Sequence, residues 1–503
     1  MTTEAKLPTV GLSARLKLTP SSAAIFAGPP TIGALIALVS LSFGASPVYV
    51  TVQVGLFLLL TPLFLMLRGN DPSTPIVLIA SFFKTFYISQ VVCALLLYAP
   101  DAHLSEPVLT AICLAVGLIA GMLGISFAGL VAASWVTTKP VIAMAMTPNR
   151  LNQLGYVSGI VGLIAQAAWT YNVTHTAVGT ATYTGTNFAV ISFLTPLTIL
   201  SLCCYAASRL IETRGRSLFS VPFVIVLALY LVAIAPLASK NEPLTPLVAV
   251  TVTAVMFRWK PGPVPILVAA GLLMFVATFL FPVINYARMT ASAERQPTAV
   301  VFAEVVPQAL LDSGKRAEIE SLSRDLELGA SLNFYDHPLG FLDRFTPAKT
   351  DRLVASAQYV EPVGPGVFKN ALISVLPQSL GFKRDQTSAQ VRMETGLTRK
   401  RTERNEVSWE NIGYVGDGYF DGGFVYVALF MFVTTFCISL ASRYIFGTMG
   451  GNILWIPLMV NIMLYPADGL FETSPPQIVW KTAFYVLAVF AILRYRRLNL
   501  RET

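Results

Sequence analysis

The sequence is poor in charged residues, which occupy only 12 % of its 503 positions. A soluble chain carries roughly a quarter charged residues. Hydrophobic residues instead account for 54 % of the chain, and many apolar runs reach the roughly 20 residues that a bilayer core requires. The scarcity of charge therefore excludes an ordinary soluble globular protein and predicts a polytopic membrane protein.

The residues that hold metals and form disulfides are also few. The three histidines lie far apart, and the five cysteines all fall inside apolar runs, where small buried thiols are common. Neither a disulfide framework nor zinc-ligand spacing is present, and no Walker-type loop indicates direct use of ATP. We therefore expect no metal, no cofactor and no nucleic-acid partner. The cysteines are Cys93, Cys113, Cys203, Cys204 and Cys437.

The apolar runs predict an all-α polytopic integral membrane protein with about 12 transmembrane helices and one large extracytoplasmic helical loop. The eighth run is short, so that a count of eleven stays open. The first 20 residues are polar and predict no cleavable leader. The predicted spans are 23–43, 47–67, 76–99, 107–135, 154–171, 187–208, 217–238, 244–258, 263–286, 422–442, 450–466 and 476–495.

The short loops between these runs divide into two sets by charge. Almost all their lysines and arginines fall in alternate loops, whereas the opposite set holds essentially Lys240 alone. Because cationic short loops stay in the cytoplasm, both termini are predicted to be cytoplasmic. The predicted domains are a tail (1–22), a bundle of about nine helices (23–286), a large outer loop (287–421), three further helices (422–495) and a basic tail (496–503).

The long outer segment is the one sizeable part outside the membrane, and it contains sixteen of the 35 lysines and arginines. Helical periodicity predicts short helices at 313–330, at 350–360 with Thr350 as the cap, and at 367–376, the last at the membrane interface. Surface cations are mostly solvated or paired. Cations beside apolar helices nevertheless suit a lipid-linked phosphate, whose oxygens arginine binds in pairs.

Two smaller features carry candidate chemistry. The stretch "FYDHPLGFLDRF" places Asp336 beside His337, either as an acid–base pair or as a simple turn. Lys481 lies about one and a half turns into the last span, where it either snorkels to the surface or reaches a head group.

The most unusual stretch is "GYVGDGYFDGGFVYVALFMF" (413–432), which sets two aspartates, three tyrosines and five glycines at the mouth of a predicted span. Together with the upstream "LDRFTPAKTDRLVASAQYVEPVGPGVFKNALISVLPQSLGFKRD", it resembles the Wzy-type polysaccharide polymerases, a family of O-antigen and oligosaccharide repeat-unit polymerases. The matching parts are Arg344-Phe345, the turn with Gly364 and Gly366, Leu376-Pro377, Lys383 and the element from Gly416 to Gly423. In this chain Asp417 replaces the family's usual glutamate, Asp421 an asparagine and Gly422 an aromatic residue.

The resemblance implies an enzyme of the bacterial inner membrane that joins sugar repeat units carried on undecaprenyl pyrophosphate at the periplasmic face. It implies a metal-independent glycosyltransferase with membrane lipid, a chain-length regulator and export machinery as further partners. The expected pyrophosphate contacts are Arg344, Lys383, Arg384, Arg392 and Lys481. Asp417, His337 and Asp336 are the expected catalytic residues, and Tyr419 and Asp421 the expected sugar contacts.

Three other functions stay open on the sequence alone. A lipid-linked sugar flippase or secondary transporter would share the twelve-span layout, but such proteins usually show internal repeats and a central cytoplasmic loop. An O-antigen ligase-type glycosyltransferase would share the chemistry and differ in acceptor. A non-enzymatic subunit of an envelope complex would use the charged outer segment to bind a partner.

Overall fold

The structure is a computed structural model, and within the residues that it describes the regular elements are helices apart from two short strands. The ranges that it describes are 22–67, 73–102, 104–135, 147–175, 191–237, 242, 244–257, 259–263, 267, 271, 283, 286–287, 290, 298–315, 317–318, 347–357, 359, 364–376, 400–401, 406–407, 413–446, 453–462, 471 and 474–499.

Nine helices with described bounds precede the long segment. They are α1 (Ser22–Ser42), α2 (Pro47–Met66), α3 (Ser73–Phe82), α4 (Ile88–Leu95), α5 (Pro107–Trp135), α6 (Pro148–His175), α7 (Pro196–Glu212), α8 (Val221–Ile234) and α9 (Leu244–Met256). A π-helical turn, Phe83–Tyr87, joins α3 to α4, and a 3₁₀ turn, Ala235–Leu237, follows α8.

The remaining elements belong to the long segment and the C-terminal part. They are α10 (Thr298–Leu311), α11 (Ala348–Ser356), α12 (Gly366–Val375), the strands β1 (Lys400–Arg401) and β2 (Glu406–Val407), α13 (Tyr414–Phe446), a 3₁₀ turn (Ile453–Trp455), α14 (Ile456–Ile462) and α15 (Ser474–Asn499).

Six stretches of helix within the described ranges are long and apolar enough to cross a membrane, which supports a membrane-embedded protein. Five overlap predicted spans closely, and the sixth, Tyr414–Phe446, begins eight residues before the predicted 422–442. The six are Pro47–Met66, Thr74–Leu95, Pro107–Ala132, Ile191–Glu212, Tyr414–Phe446 and Gln477–Tyr495.

Other predicted spans coincide with helices that are shorter or that carry polar side chains. The run 154–171 lies inside the long helix α6, which carries polar side chains, and several more match shorter apolar helices such as Val221–Leu237 and Ile453–Ile462. Most of the predicted span 263–286 lies outside the described residues.

Among the described helices, α5 and α13 share the most extensive contact, and glycines allow them to approach each other closely. A side-chain carbon added at Gly124 would collide with the Phe432 carbonyl, and one at Gly117 would lie 2.9 Å from Val415. The Thr435 hydroxyl donates to the Gly121 carbonyl at 3.0 Å. Small residues spaced by four let membrane helices approach in this way. The glycines of α5 thus place the start of α13 firmly in the bundle.

A second pair, α6 and α7, packs by the same means. A side-chain carbon at Gly162 would collide with the backbone nitrogen of Thr198, and one at Gly159 would lie 2.7 Å from the Ser201 hydroxyl. The Ser201 hydroxyl donates to the Gly155 carbonyl at 2.6 Å.

Two hydrogen bonds join loops that are distant in the sequence. The Ser46 amide donates to Asp101 at 2.9 Å, which joins two loops that were both predicted on the outer side. At another point the Lys260 amide donates to the Gly215 carbonyl at 2.9 Å, which joins two loops that were both predicted on the cytoplasmic side. These contacts agree with the predicted alternation of sides.

In the long segment, two of three predicted helices fall among the described residues. The helix predicted at 350–360 is α11 and that at 367–376 is α12, whereas most of 313–330 lies outside the described residues. The prediction of Thr350 as a cap is wrong, because α11 begins at Ala348 with Pro347 in the capping position. The sequence reading missed α10 and the two-residue strands, which pair antiparallel.

Candidate functional site at one end of the bundle

The glycine-rich stretch forms a short helix that is interrupted before the long one. Tyr414–Asp421 is helical, and the break falls at Gly422 and Gly423. Gly423 has φ 67° and ψ −155°, a conformation that essentially only glycine adopts. A side-chain carbon at Gly418 would lie 2.8 Å from the Val427 nitrogen. The break therefore lets the short helix turn back against the start of the long one.

Asp417 lies inside this corner, with none of its surface exposed. Its Oδ2 accepts a hydrogen bond from the Phe471 amide at 2.8 Å. The Phe471 ring in turn stacks on Phe430, with centroids 3.8 Å apart and planes at 5°. The carboxylate thus ties the short helix to the chain between α14 and α15. A fully buried carboxylate that accepts from a backbone amide is suited to positioning other groups.

The turn at Gly364 meets the end of the same short helix. The Gly364 amide donates to the Asp421 carbonyl at 3.1 Å, and Gly364 has φ +67°, which favours glycine. Just beyond the turn, the Phe368 ring makes edge contacts with Tyr426, Phe430 and Phe471 at 5.3 to 5.5 Å. Two separate parts of the quoted resemblance are therefore in direct contact.

Tyr419 and Asp421 differ in exposure, although both were predicted sugar contacts. The Asp421 side chain is fully buried. Tyr419 keeps part of its surface exposed, and its ring meets Phe424 edge-on at 5.3 Å. Of the two, Tyr419 is the one whose side chain is open to a ligand from outside.

Asp351 is a site residue that sequence reasoning missed. It lies on α11 and is only 3 % exposed, and its carboxylate accepts from the amides of Ser105 and Glu106 at 2.7 and 2.8 Å and from the Thr110 hydroxyl at 3.0 Å. The first amides of a helix have no partner within it, and the helix dipole favours an anion there. Asp351 therefore caps α5 from a distant part of the chain.

Burial also changes the pKa of the Asp351 carboxyl group. Burial raises the pKa of the Asp351 carboxyl above its ordinary value, while the hydrogen bonds from Ser105, Glu106 and Thr110 act in the opposite direction. A sequence signal for Asp351 did exist, since an acidic residue in the first turn of a predicted helix was visible. Its real partners lie 241 to 246 positions away, beyond the reach of local pattern.

A small cavity lies where α11, the π-helical turn and the start of α13 meet. The residues that line it are Ser81, Phe82, Thr85, Leu114, Thr350, Gly413, Val415 and Met431. π-helical turns inside α-helices occur often at functional sites, and this turn carries Lys84. The hydroxyl groups of Ser81 and Thr85, from α3 and the π-helical turn, therefore line the same cavity as that of Thr350, from the long segment.

Lys481 points towards the protein. Its Nζ donates to Asn461 Oδ1 at 3.1 Å, and Asn461 is itself fixed by a bond from Nδ2 to the Pro457 carbonyl at 2.7 Å. The neighbouring Trp480 indole donates to the Val375 carbonyl at 2.9 Å. This contact fixes the end of α12 to the first turns of α15.

The other predicted site residues lie outside the described residues. They are Asp336, His337, Arg344, Lys383, Arg384 and Arg392. Among the residues that the structure does describe, no group of three or more metal-binding side chains comes together.

Comparison of the chain with protein-family models, with curated proteins and with solved structures finds no match. The resemblance to the Wzy-type polymerases therefore depends on the quoted motifs alone.

Proposed function

We propose that the protein is a glycan polymerase of the bacterial inner membrane, with about 12 spans and both termini in the cytoplasm. It joins oligosaccharide repeat units carried on undecaprenyl pyrophosphate at the periplasmic face. One observation carries the proposal: the contact between the Gly364 amide and the Asp421 carbonyl. It joins the upstream and downstream parts of the motif that the family resemblance relies on.

The location of this contact also supports the proposal. Asp351, on the same long segment, caps α5 at the loop 104–106, which was predicted on the outer side. This contact supports an arrangement in which the long segment and the glycine-rich corner lie at the end of the bundle that a periplasmic sugar would reach.

The proposed reaction needs a base, a cationic site and a surface for sugar rings. The acceptor hydroxyl attacks the anomeric carbon, the new glycosidic bond forms, and the bond to the lipid pyrophosphate breaks. His337, with Asp336, accepts the hydroxyl proton, and Arg344, Lys383, Arg384 and Arg392 stabilise the charge on the departing pyrophosphate.

The described residues suggest narrower roles for the remaining candidates. Asp417 and Asp421 act as positioning residues because both are buried. Tyr419 presents its partly exposed ring to a sugar, which suits the apolar face of a pyranose. Lys481 interacts with Asn461, so that the pyrophosphate is bound mainly by the cations of the long segment.

The decisive experiment is elongation by the purified protein in proteoliposomes that contain only a lipid-linked repeat unit. A polymerase yields a ladder of chains, and an Arg344→Ala variant that inserts normally yields single units. An O-antigen ligase leaves the units unextended until a second acceptor is supplied. In cells, deletion should shorten the surface glycan to single repeats, whereas complete loss of surface units would indicate a flippase and contradict the proposal.

A further inference from the structure

Helix α12 (Gly366–Val375) has its polarity reversed relative to a helix at a water-facing surface. The polar residues Asn370 and Ser374 are 1 % and 5 % exposed and face the protein, whereas Leu372 is 73 % exposed and Leu376, at its C-terminal end, 41 %. A surface helix in water places its leucines inwards and its polar residues outwards. The opposite arrangement fits a helix whose outer face meets an apolar solvent.

The neighbours of α12 indicate that the apolar solvent at its outer face is lipid. Its last carbonyl, that of Val375, accepts a hydrogen bond from the Trp480 indole at 2.9 Å. Trp480 belongs to the apolar stretch Gln477–Tyr495, of which only 11 % is buried in the protein. In a membrane-embedded protein, a stretch so little covered by protein is expected to face lipid, and tryptophan is enriched where a span enters the bilayer. The end of α12 is therefore fixed to a lipid-facing helix at the membrane boundary.

The charged end of α12 completes the pattern. Lys369 is exposed and lies one turn before Leu372 on the same face. Lysine beside apolar residues extends its ammonium group towards the polar head-group layer while its methylenes stay in contact with the apolar layer. The face thus has a cation at one end and leucines at the other.

We propose that the face formed by Lys369, Leu372 and Leu376 is a lipid-binding surface that lies in the outer part of the bilayer, against the acyl chains of ordinary phospholipids. The surface is an open ridge with Leu372 mostly exposed, and an open ridge does not select one lipid. The long segment is then seated in the membrane as well as above it. This inference does not depend on the glycan-polymerase proposal.

The test is photocrosslinking from the face itself. The photoreactive amino acid p-benzoylphenylalanine replaces Leu372, and the full-length protein is reconstituted in vesicles of phosphatidylethanolamine and phosphatidylglycerol with a trace of undecaprenyl phosphate. Mass spectrometry then identifies what is attached after illumination. We expect phospholipid adducts of both kinds at 372. Replacement of Val367, which is fully buried on the opposite face, should give crosslinks within the protein and lose the lipid adducts.

Three outcomes would overturn the inference. Crosslinks from 372 to a peptide of this chain or to a second copy would show that protein covers the ridge. Adducts with undecaprenyl phosphate alone would show a selective carrier site. Absence of lipid adducts, together with rapid labelling of a Leu372→Cys variant by a water-soluble maleimide, would place the face in water.

Discussion

Asp351 and Asp417 show how much of this site depends on single buried carboxylates. Each accepts hydrogen bonds from the backbone of a distant element, Asp351 from Ser105 and Glu106 and Asp417 from Phe471. The first holds the long segment on α5, and the second holds the glycine-rich corner on the chain before α15. Neither partner is near in sequence, so that no periodicity or spacing reveals the pairing. The sequence made Asp417 a candidate site residue and assigned its chemistry only by resemblance.

Removing the Asp351 carboxylate should loosen the long segment. Asp351→Ala eliminates three hydrogen bonds at the start of α5, and we expect a loss of about 2 kcal/mol, within the range for caps and charged hydrogen bonds. Limited proteolysis of the protein in detergent measures the effect as faster cleavage within the long segment. The matched control is Asp312→Ala, whose exposed carboxylate accepts from the amides of nearby Gly314 and Lys315. Equal cleavage rates in the two variants would contradict the anchoring role.

Asp351 should also make stability depend on pH in an unusual direction. Burial raises its pKa in the folded protein, so that the folded state binds this proton more tightly than the unfolded chain. Its contribution is full below the ordinary pKa of 3.8 and is lost as pH rises through the raised folded-state pKa. The Tm of the wild type relative to Asp351→Asn should therefore increase on mild acidification. A relative decrease would show that the charged form is the one favoured by folding.

Two substitutions at Asp417 separate positioning from proton transfer. Asparagine keeps an oxygen that accepts from the Phe471 amide, whereas alanine leaves that buried amide without its partner at a cost of about 1–3 kcal/mol. We expect Asp417→Asn to retain most glycan elongation and Asp417→Ala to lose it, both compared at equal amounts of inserted protein. Complete inactivity of the asparagine variant alongside normal thermal stability would instead identify Asp417 as the base.

At the level of elements, apolar run length predicted most helices, and it placed the start of one span at the position where the structure interrupts a helix. The predicted boundary at 422 coincides with the interruption at Gly422 and Gly423. The helical nature of Tyr414–Asp421 was missed because its polar residues and glycines are typical of a loop at a membrane surface. Burial against α5 and α11 overrides that local preference, and only tertiary packing supplies such burial.

The break itself should tolerate no side chain. Gly423→Ala forces a conformation that essentially only glycine adopts, and we expect destabilisation of about 1–3 kcal/mol. The control is Gly55→Ala in the middle of α2, where nothing lies within 4 Å of the added carbon and alanine favours helix. Thermal unfolding of both variants in detergent measures the difference. A Gly423→Ala protein as stable as Gly55→Ala would mean that the corner is not fixed in this geometry.

For the whole molecule, charge alternation predicted which loops share a side, and the contacts Ser46–Asp101 and Lys260–Gly215 agree with it. The number of spans was less accessible to sequence. Helix α6 is long but carries polar side chains among its apolar ones, and several other helices are shorter than a bilayer crossing. Whether these helices cross the membrane depends on which other helices pack against them, and the hydropathy of the sequence carries no information about that packing.

Cysteine labelling tests the arrangement of sides. Tyr359→Cys, in the long segment, should react with an impermeant maleimide added outside intact cells. Arg216→Cys, at the exposed turn after α7, should react only after the membrane is opened. Four of the five native cysteines are buried, and a variant with only native cysteines sets the background. Labelling of both positions from one side would contradict the proposed topology.

The glycine-lined contact between α5 and α13 has a consequence for biosynthesis. Gly121 and Thr435, which bond across it, are 314 positions apart, and at roughly 5–20 residues per second the ribosome needs roughly 15–60 s to span that interval. During that interval, α5 already lies in the bilayer or beside the insertion machinery, and its glycine-lined side does not yet contact α13. Another protein or a lipid must cover that side until α13 is synthesised. Chains arrested before residue 414 should therefore crosslink from the glycine side of α5 to that transient protein or lipid.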